Sequence, residues 1–247
     1  MTVLSVSGLS KQFDGVRVVD GVSFDVRAGE LLAMIGPNGA GKTTCFNMLN
    51  GQLSPDSGSV RLAGADITGK KPREIWRMGV GRTFQVAATF ASMSVRENVQ
   101  MALLSYHRRA ANVWAGAARL HHEEADALLE EVGMREQGGR ACATLAYGDL
   151  KRTEMAMALA NRPRLLLMDE PTAGMAPQER RAAMELAERI ARGRGIAVLF
   201  TEHDMDVVFR HADRVIVLYQ GRVIAQGAPA DVRSRADVRQ IYLGTAQ

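Results

Sequence analysis

Short apolar runs separated by glycine and aspartate characterise the N-terminal part of the chain. Runs of this kind, bounded by turn residues, predict β-strands. We expect them to form an antiparallel β layer beside a parallel one. The runs cover residues 3–7, 16–19, 22–26, 31–35 and 59–62.

Between residues 95 and 134 the apolar positions change to a helical spacing. Leucines at positions 103, 104, 120, 128 and 129 recur among alanine, glutamate and arginine. Such spacing predicts helices with one apolar face. We therefore expect a helical subdomain over about residues 86–160, within a single domain that spans residues 1–247.

The apolar runs return in the C-terminal half, with a helix between them. Residues 165–168 form a run that ends in Asp169, and residues 196–200 form the next one. A helix is predicted from about Pro177, because proline suits a first helical turn. Alternating strands and helices with apolar strands predict an α/β fold, in which a parallel sheet is covered on both faces.

A hairpin is predicted near the C-terminus. Its strands are the apolar runs at residues 215–218 and 223–225, and Gln220 and Gly221 lie between them. A polar residue followed by glycine is typical of a tight hairpin turn. The residues from Ala228 onward predict a short helical finish.

A glycine-rich stretch, MIGPNGAGKTTCFNML, interrupts one apolar run and leads into an amphipathic segment. Its spacing from Gly36 to Thr43 matches the phosphate-binding loop pattern. Glycines let backbone N–H groups wrap around an anion, and the N-terminus of the next helix favours negative charge. The alternative is a turn that merely joins a strand to a helix, but the predicted strand and helix on either side favour a nucleotide site. We expect Lys42 to reach the β- and γ-phosphates and Thr43 to bind Mg²⁺.

Two adjacent carboxylates, Asp169 and Glu170, follow an apolar run of the predicted sheet. Asp169 is a candidate for holding Mg²⁺, and Glu170 for orienting or deprotonating the attacking water. The alternative is a pair of surface acids, yet carboxylates beside buried residues are costly without a cation. His203 follows the next apolar run and reaches the same edge if the two strands are neighbours. Gln85 is a candidate neutral ligand of the metal or the water.

Composition and charge add few constraints. Of 247 residues, 47% are hydrophobic and 23% are charged, which is typical of a globular protein. No apolar stretch reaches membrane-helix length and the N-terminus lacks a signal-peptide layout, so we expect the chain to stay in the cytosol. The net charge is +4, but the arginines are scattered, and we predict no nucleic-acid partner. Cys45 and Cys142 lie far apart without metal-ligand neighbours, so they predict neither a disulfide nor a zinc site.

Taken in order, these motifs resemble those of the ATP-binding subunits of ABC transporters, over about residues 3–227. On this resemblance Phe13 stacks on adenine, Gln85 belongs to the Q-loop, and His203 is the switch histidine. LAYGD takes the place of the signature motif, which acts on the ATP of a partner subunit. AGMAP takes the place of the D-loop. The matching ATP-binding residues are Gly36, Pro37, Asn38, Gly39, Ala40, Gly41, Lys42, Thr43 and Thr44, and the signature residues are Leu145, Ala146, Tyr147, Gly148 and Asp149.

The resemblance implies a P-loop NTPase ABC ATPase fold, with a RecA-like parallel sheet core, an antiparallel β layer and a helical subdomain. It implies ATP and Mg²⁺ as cofactors. Glu170, His203 and Gln85 would be catalytic, and the metal ligands would be Thr43, Gln85 and Asp169. Two such subunits would close on two ATP molecules and reopen on hydrolysis. They would drive membrane-spanning permease subunits from the cytoplasmic face of the cell membrane.

The signature motif departs from the usual Leu-Ser-Gly-Gly-Gln. Ala146, Tyr147 and Asp149 replace its serine, first glycine and glutamine. Loss of a hydroxyl that bonds a charged phosphate weakens a site by about 1.5–3 kcal/mol, roughly ten- to a hundredfold. We therefore expect a heterodimer with a second ATPase subunit that carries a more usual motif, with a homodimer as the alternative.

Within this family, the sequence from LAYGD to AGMAP and the tail IYLG are similar to importer ATPases for branched-chain and other hydrophobic amino acids. Those importers work with a periplasmic solute-binding protein. ATPases of urea and short-chain amide importers are the nearest alternative. A non-transport ABC ATPase acting on ribosomes or DNA would carry two cassettes or a coiled-coil insertion, and a P-loop kinase would have no role for Gln85 and His203.

Overall fold

This computed structural model describes residues 1–83, 89–107 and 121–243. Strands make up the N-terminal part of the chain and alternate with helices after it, as the apolar pattern predicts. In chain order the strands are β1 (Thr2–Phe13), β2 (Val16–Arg27), β3 (Leu31–Ile35), β4 (Ser57–Leu62), β5 (Ala65–Asp66), β6 (Val80–Thr83), β7 (Leu165–Asp169), β8 (Ala197–Thr201), β9 (Arg214–Tyr219) and β10 (Arg222–Gly227).

The described strands form an antiparallel sheet and a mostly parallel one. The antiparallel sheet has the order β2-β1-β4-β5, and the larger sheet has the order β10-β9-β3-β8-β7-β6. In the larger sheet β3, β6, β7, β8 and β9 pair in parallel, and the β9–β10 hairpin closes one edge. The prediction of an antiparallel β layer beside a parallel one is confirmed.

Helices cover the sheets and none of those described is long and apolar enough to cross a membrane. The longest, α6, starts at a proline and ends at Gly195, whose φ of +66° stops the helix. The helices are α1 (Lys42–Leu49), α2 (Pro72–Arg77), α3 (Val95–Tyr106), α4 (His122–Glu131), α5 (Tyr147–Leu159), α6 (Pro177–Arg194), α7 (Met205–His211), α8 (Pro229–Ser234) and α9 (Ala236–Leu243).

Strand β3 shows why the parallel strands are apolar at every position. All five of its side chains are fully buried. Leu31, Ala33 and Ile35 lie in a core that includes residues of α3, α4, α5 and α6. Leu32 and Met34 lie in a second core, shared with α1 and the antiparallel sheet. Both faces of β3 are therefore covered, and its C-terminal end is directed into the glycine-rich loop.

One expectation about the strands is wrong, and two short elements are not predicted. The runs at residues 16–19 and 22–26 form one strand, β2, rather than two. Leu9 of β1 pairs with Val22 and Lys11 with Val19, so β2 carries one extra residue in a β-bulge that contains Gly21. In addition, the apolar pattern predicts neither α2 nor β6, which are too short to show a clear period.

The C-terminal predictions are confirmed. The β9–β10 hairpin turns at Gln220 and Gly221, which have φ values of +46° and +78°. Two positive φ angles in succession are typical of a turn whose twist matches the strands it joins. Helices α8 and α9 follow. The division of the chain into one domain with a subdomain at about residues 86–160 stays a prediction, and residues 86–88 and 108–120 of that range lie outside the described part of the chain.

Phe200, in strand β8, tests the importance of the core between the sheet and its helices. Phe200 is 0% exposed, whereas Phe90 is 55% exposed. We expect Phe200→Ala to lower the free energy of unfolding by about 3–5 kcal/mol, because it leaves a cavity. The matched change Phe90→Ala should stay within about 0.5 kcal/mol of the wild type. Urea denaturation of the purified chain measures both, and equal losses would show that this core is not what stabilises the fold.

Candidate functional site

The loop between β3 and α1 is shaped by close backbone contacts at two glycines. A Cβ atom on Gly36 would lie 2.2 Å from the carbonyl oxygen of Leu218. A Cβ atom on Gly41 would lie 2.6 Å from the carbonyl oxygen of Val18, and the φ of Gly41 is +101°. Any larger residue would displace strand backbone at both positions. The protein's own packing therefore requires these glycines, independently of a ligand.

The tip of this loop faces solvent. The hydroxyl group of Thr43 is in the first turn of α1, where helix amides lack intrahelical partners. Amides and a hydroxyl group thus meet at an open surface, as an anion site needs. Of the predicted loop residues, Asn38, Gly39 and Thr43 are exposed, Pro37 and Thr44 are half-buried, and Gly36, Ala40, Gly41 and Lys42 are buried.

Lys42 lies against the base of the loop and near two carboxylates. Its Nζ donates hydrogen bonds to the carbonyl oxygens of Gly36 at 2.6 Å and Pro37 at 3.1 Å. These bonds use two of its three N–H donors. Burial lowers the pKa of Lys42, and the negative charges of Glu170 and Asp169 oppose that effect. The lysine and both acids therefore share one electrostatic environment.

Asp169, the last residue of β7, is held through both carboxylate oxygens. Oδ1 accepts a 2.8 Å hydrogen bond from the hydroxyl group of Thr201, its pairing partner on β8. Oδ2 accepts a 3.3 Å hydrogen bond from the guanidinium group of Arg82. The Asp169 side chain is only 15% exposed, so Arg82 balances a partly desolvated charge.

Glu170 adopts a left-handed backbone conformation directly after the strand. Its φ is +47°, which is uncommon for a residue with a Cβ atom. Its N–H group donates a 3.0 Å hydrogen bond to the Thr201 hydroxyl group, and its Oε1 lies 2.9 Å from Nε2 of His203. Strands β7 and β8 are neighbours, as the argument for His203 required, and that histidine meets Glu170 at the shared edge.

A second layer of contacts connects the loops that follow β7 and β8. Glu202, 5% exposed, accepts hydrogen bonds from the N–H group of Thr172 at 3.0 Å and from its hydroxyl group at 2.5 Å. Arg180 donates to the carbonyl oxygen of Met175 at 2.8 Å and to Asp204 at 2.7 Å. The segment that carries Glu170 is thereby fixed to the segment that carries His203. The sequence does not predict the contacts of Glu202 and Asp204, because their partners are about 20–30 positions away in the chain.

Arg82 is the most informative residue that the sequence analysis missed. Its guanidinium group donates to Asn47 at 2.9 Å, to Gln52 at 3.0 Å and to Asp169. Burial lowers the pKa of Arg82, and the charge of Asp169 opposes this. Arg82 connects α1, β6 and β7 at the base of the site. The sequence feature that could have identified Arg82 is an arginine within the short strand VGRT, whose other residues are buried.

The residues of LAYGD lie at the start of α5. Ala146 precedes the helix, and Tyr147, Gly148 and Asp149 form its first turn. Ala146 and Tyr147 are exposed, and the Lys151 ammonium group lies 5.8 Å from the centre of the Tyr147 ring. Leu145 is half-buried beneath them. The motif is therefore accessible to another molecule at the end of a helix.

Phe13 lies at the end of β1 with its ring 40% exposed. The ammonium group of Lys11 is 5.6 Å from the ring centre. The ring is thus available for stacking on another ring. It belongs to the β1–β2 hairpin, whose second strand lies against Gly41 through Val18. The predicted residue Gln85 lies outside the described residues.

Comparison with known proteins identifies the family of the chain. A family model described as ABC transporter matches residues 19–173, and one described as branched-chain amino acid ATP-binding cassette transporter matches residues 222–247. The chain is 39% identical to the high-affinity branched-chain amino acid transport ATP-binding protein BraF of Pseudomonas aeruginosa, over 99% of this chain and 98% of the relative. It is 36% identical to LivG of Escherichia coli, a protein of the same description, with the same coverage.

Solved structures show the same fold. A nucleotide-free ATP-binding cassette from an ABC transporter superposes with a TM-score of 0.87 at 31% identity, over 98% of this chain and 99% of that one. The ADP conformation of a cassette superposes with a TM-score of 0.88 at 32% identity, over 99% of each chain. The family models, the relatives and the solved structures thus show that this chain belongs to the ABC transporter family, as one of its ATP-binding, ATP-hydrolysing subunits.

Proposed function

We propose that this chain powers an importer for branched-chain or other hydrophobic amino acids. The observation that carries the proposal is the meeting of Lys42, Asp169, Glu170 and His203 at the ends of neighbouring strands. That arrangement supports ATP hydrolysis. The substrate class is supported by the printed function of the relatives and by the family match at residues 222–247.

The phosphates of ATP would lie at the open tip of the glycine-rich loop. Lys42 and the first amides of α1 supply positive potential there, and Phe13 offers its exposed ring to the base. Mg²⁺ prefers oxygen ligands, and the exposed Thr43 hydroxyl group and the Asp169 carboxylate fit that preference. Mg²⁺ would neutralise phosphate charge when bound. Gln85 stays a proposed third ligand.

Glu170 is proposed as the residue that orients and deprotonates the attacking water. A general base must be held in place to act on a proton. The hydrogen bond from its N–H group to Thr201 fixes the backbone of Glu170, and the contact with His203 fixes its carboxylate. His203 in turn is 49% exposed, so it can also reach the terminal phosphate.

A subunit of an ABC transporter works with membrane permease subunits, and we propose where they dock. A cavity of about 260 Å³ lies beside α2, α3 and α5. Arg82 lines this cavity and also contacts Asp169. A cytoplasmic helix of a permease subunit seated here would hold this chain at the cytoplasmic face of the membrane. We name this cavity the permease groove. Its lining includes Gln52, Pro72, Trp76, Arg82, Ala102 and Met157.

The signature motif supports pairing with a different ATPase subunit. Ala146 has no hydroxyl group, and Asp149 adds negative charge to the first turn of α5. Both changes weaken the interaction of that helix end with a phosphate of the partner's ATP. We therefore propose a heterodimer, together with a solute-binding protein that delivers the amino acid to the permease.

Thr201 tests whether Asp169 is held in place for Mg²⁺. Thr201→Val keeps the shape but removes the bonds to Asp169 and to the Glu170 N–H group. We expect the Mg²⁺ concentration for half-maximal ATP hydrolysis to rise several-fold. Loss of a buried hydrogen-bond partner should also lower the free energy of unfolding by about 1–3 kcal/mol. Thr144→Val is the control, since its exposed hydroxyl group donates to the carbonyl oxygen of Ala141, three residues earlier. An unchanged Mg²⁺ dependence in Thr201→Val would contradict the assignment.

Transport in proteoliposomes tests the whole proposal. They would contain the permease subunits, both ATPase chains and the solute-binding protein. We expect ATP-driven leucine accumulation that is lost with Lys42→Ala and with Glu170→Gln. Loss of a general base slows hydrolysis roughly 10²- to 10⁴-fold.

Lys70→Ala and Glu123→Gln are the matched controls, because both side chains are exposed and lie outside the site. These variants should transport leucine at the wild-type rate. Accumulation of urea or short amides instead of leucine would overturn the substrate class. Rapid hydrolysis by Glu170→Gln would overturn the proposed role of that residue.

The proposed heterodimer predicts a gain of function from repairing the signature motif. We expect the Glu170→Gln chain to form ATP-dependent dimers with its partner subunit more readily than with itself. Adding Ala146→Ser and Asp149→Gln should strengthen the homodimer roughly ten- to a hundredfold, because a charge-assisted hydrogen bond is restored and a negative charge is removed. Analytical ultracentrifugation with ATP measures this, and an equally strong homodimer before the repair would argue against obligate pairing with a second subunit.

A further inference from the structure

Two histidines and a glutamate meet at the corner between α3 and α4. His107 follows the last turn of α3, His121 precedes α4, and Glu124 lies in the first turn of α4. Nε2 of His107 and Nδ1 of His121 each lie 3.1 Å from Oε2 of Glu124. Their side chains are 28%, 13% and 31% exposed, respectively. The cluster has no part in the ATP site described above.

The donor atoms have the spacing of a metal site. Histidine nitrogen and carboxylate oxygen bind zinc at about 2.0–2.2 Å, so neighbouring donors of a tetrahedral site are about 3.3 Å apart. The observed separations of 3.1 Å come within a few tenths of that value. All three donor atoms lie within 4.8 Å of one another. One ion contacts all three once the imidazole rings turn toward it, with water in the fourth position.

The carboxylate of Glu124 is the acidic ligand of the cluster, and both histidine nitrogens lie against the same oxygen, Oε2. Arg162 contacts the other oxygen, Oε1, at 3.2 Å. A ligating carboxylate is commonly held in this way through its second oxygen.

The two imidazole rings must turn to share an ion. Their planes are 4° from parallel and their centres are 4.4 Å apart, so no single point lies in both planes near the nitrogen atoms. Rotation about the Cβ–Cγ bond of histidine is soft, with broad minima. The three donor atoms already lie within 4.8 Å of one another, so rotation of the rings is the change that binding requires.

We propose that His107, His121 and Glu124 bind a divalent transition-metal ion, with zinc the best match to this donor set. The ion joins the end of α3 to the start of α4. Cysteine spacing gave no sign of such a site, because the ligands are histidine and glutamate and the two histidines are 14 positions apart. Zinc binding itself does not depend on the proposed transport function.

The site is connected to the permease groove by a row of ring contacts. The ring of His107 meets that of Tyr106 edge to face at 5.2 Å, and Tyr106 meets Trp76 in the same way at 6.0 Å. Trp76 lines the permease groove. The turn of the His107 ring that ion binding requires changes its contact with Tyr106, and through Tyr106 one wall of the groove. This consequence rests on the proposed function, whereas zinc binding is tested separately.

Calorimetric titration of zinc into the purified chain, with excess Mg²⁺ present, tests the proposal. We expect one high-affinity zinc per chain in the wild type and at least tenfold weaker binding in His121→Ala. His122→Ala is the matched control, because its ring is 47% exposed and lies 3.6 Å from Asp126 rather than Glu124. It should bind zinc within twofold of the wild type.

Two further variants keep the result interpretable. Glu124→Gln preserves the shape of the side chain and should also weaken zinc binding at least tenfold, which covers the case in which His121→Ala fails to fold. His203→Ala removes the histidine of the ATP site and should leave the affinity unchanged. Equal zinc affinity in the wild type, His121→Ala and Glu124→Gln would overturn the proposal. Loss of binding only in His203→Ala would place the zinc at the ATP site and overturn it as well.

Discussion

The parallel hydrogen bonding of β7 to β8 determines where the charged groups of the site meet. The pairing places Asp169 opposite Thr201, and the Thr201 hydroxyl group then bonds both the Asp169 carboxylate and the Glu170 N–H group. His203 is two residues beyond Thr201 and meets Glu170 at 2.9 Å. A shift of one residue in this register would turn the side chains to opposite faces of the sheet. The chemistry of the site therefore depends on a backbone pairing that is buried on both sides.

Charge balance is the second constraint on the site. Two cations, Lys42 and Arg82, and two anions, Asp169 and Glu170, lie in partly buried positions. Removing one member of such a group leaves an uncompensated charge, which is strongly destabilising. Arg82 is notable because it also lines the permease groove. One side chain thus contacts the acid proposed to hold Mg²⁺ and the surface proposed to receive the membrane subunit.

The sequence predicted those elements that depend on residues close together in the chain, and missed those that depend on distant partners. The apolar runs that became β3, β7 and β8 were readable because strands covered on both faces must be apolar throughout. The glycine loop was readable because its spacing is local. Strand β6 was not, since its four residues include a glycine and a buried arginine whose partners lie on other elements. The sequence likewise did not predict that β2 is continuous through the β-bulge at Gly21, because the extra residue of the bulge is defined by the pairing of β2 with β1.

The sequence by itself determined the local features of this protein: the phosphate-binding loop, the strands that are apolar throughout, the acidic pair after β7 and the altered signature motif. These depend on residues a few positions apart, whose spacing is set by backbone geometry. The tertiary structure alone decided that Arg82 contacts Asp169, that Glu202 holds Thr172, and that His107, His121 and Glu124 meet at one corner. Such contacts join distant segments, and their distances follow from how helices and strands pack rather than from their order along the chain.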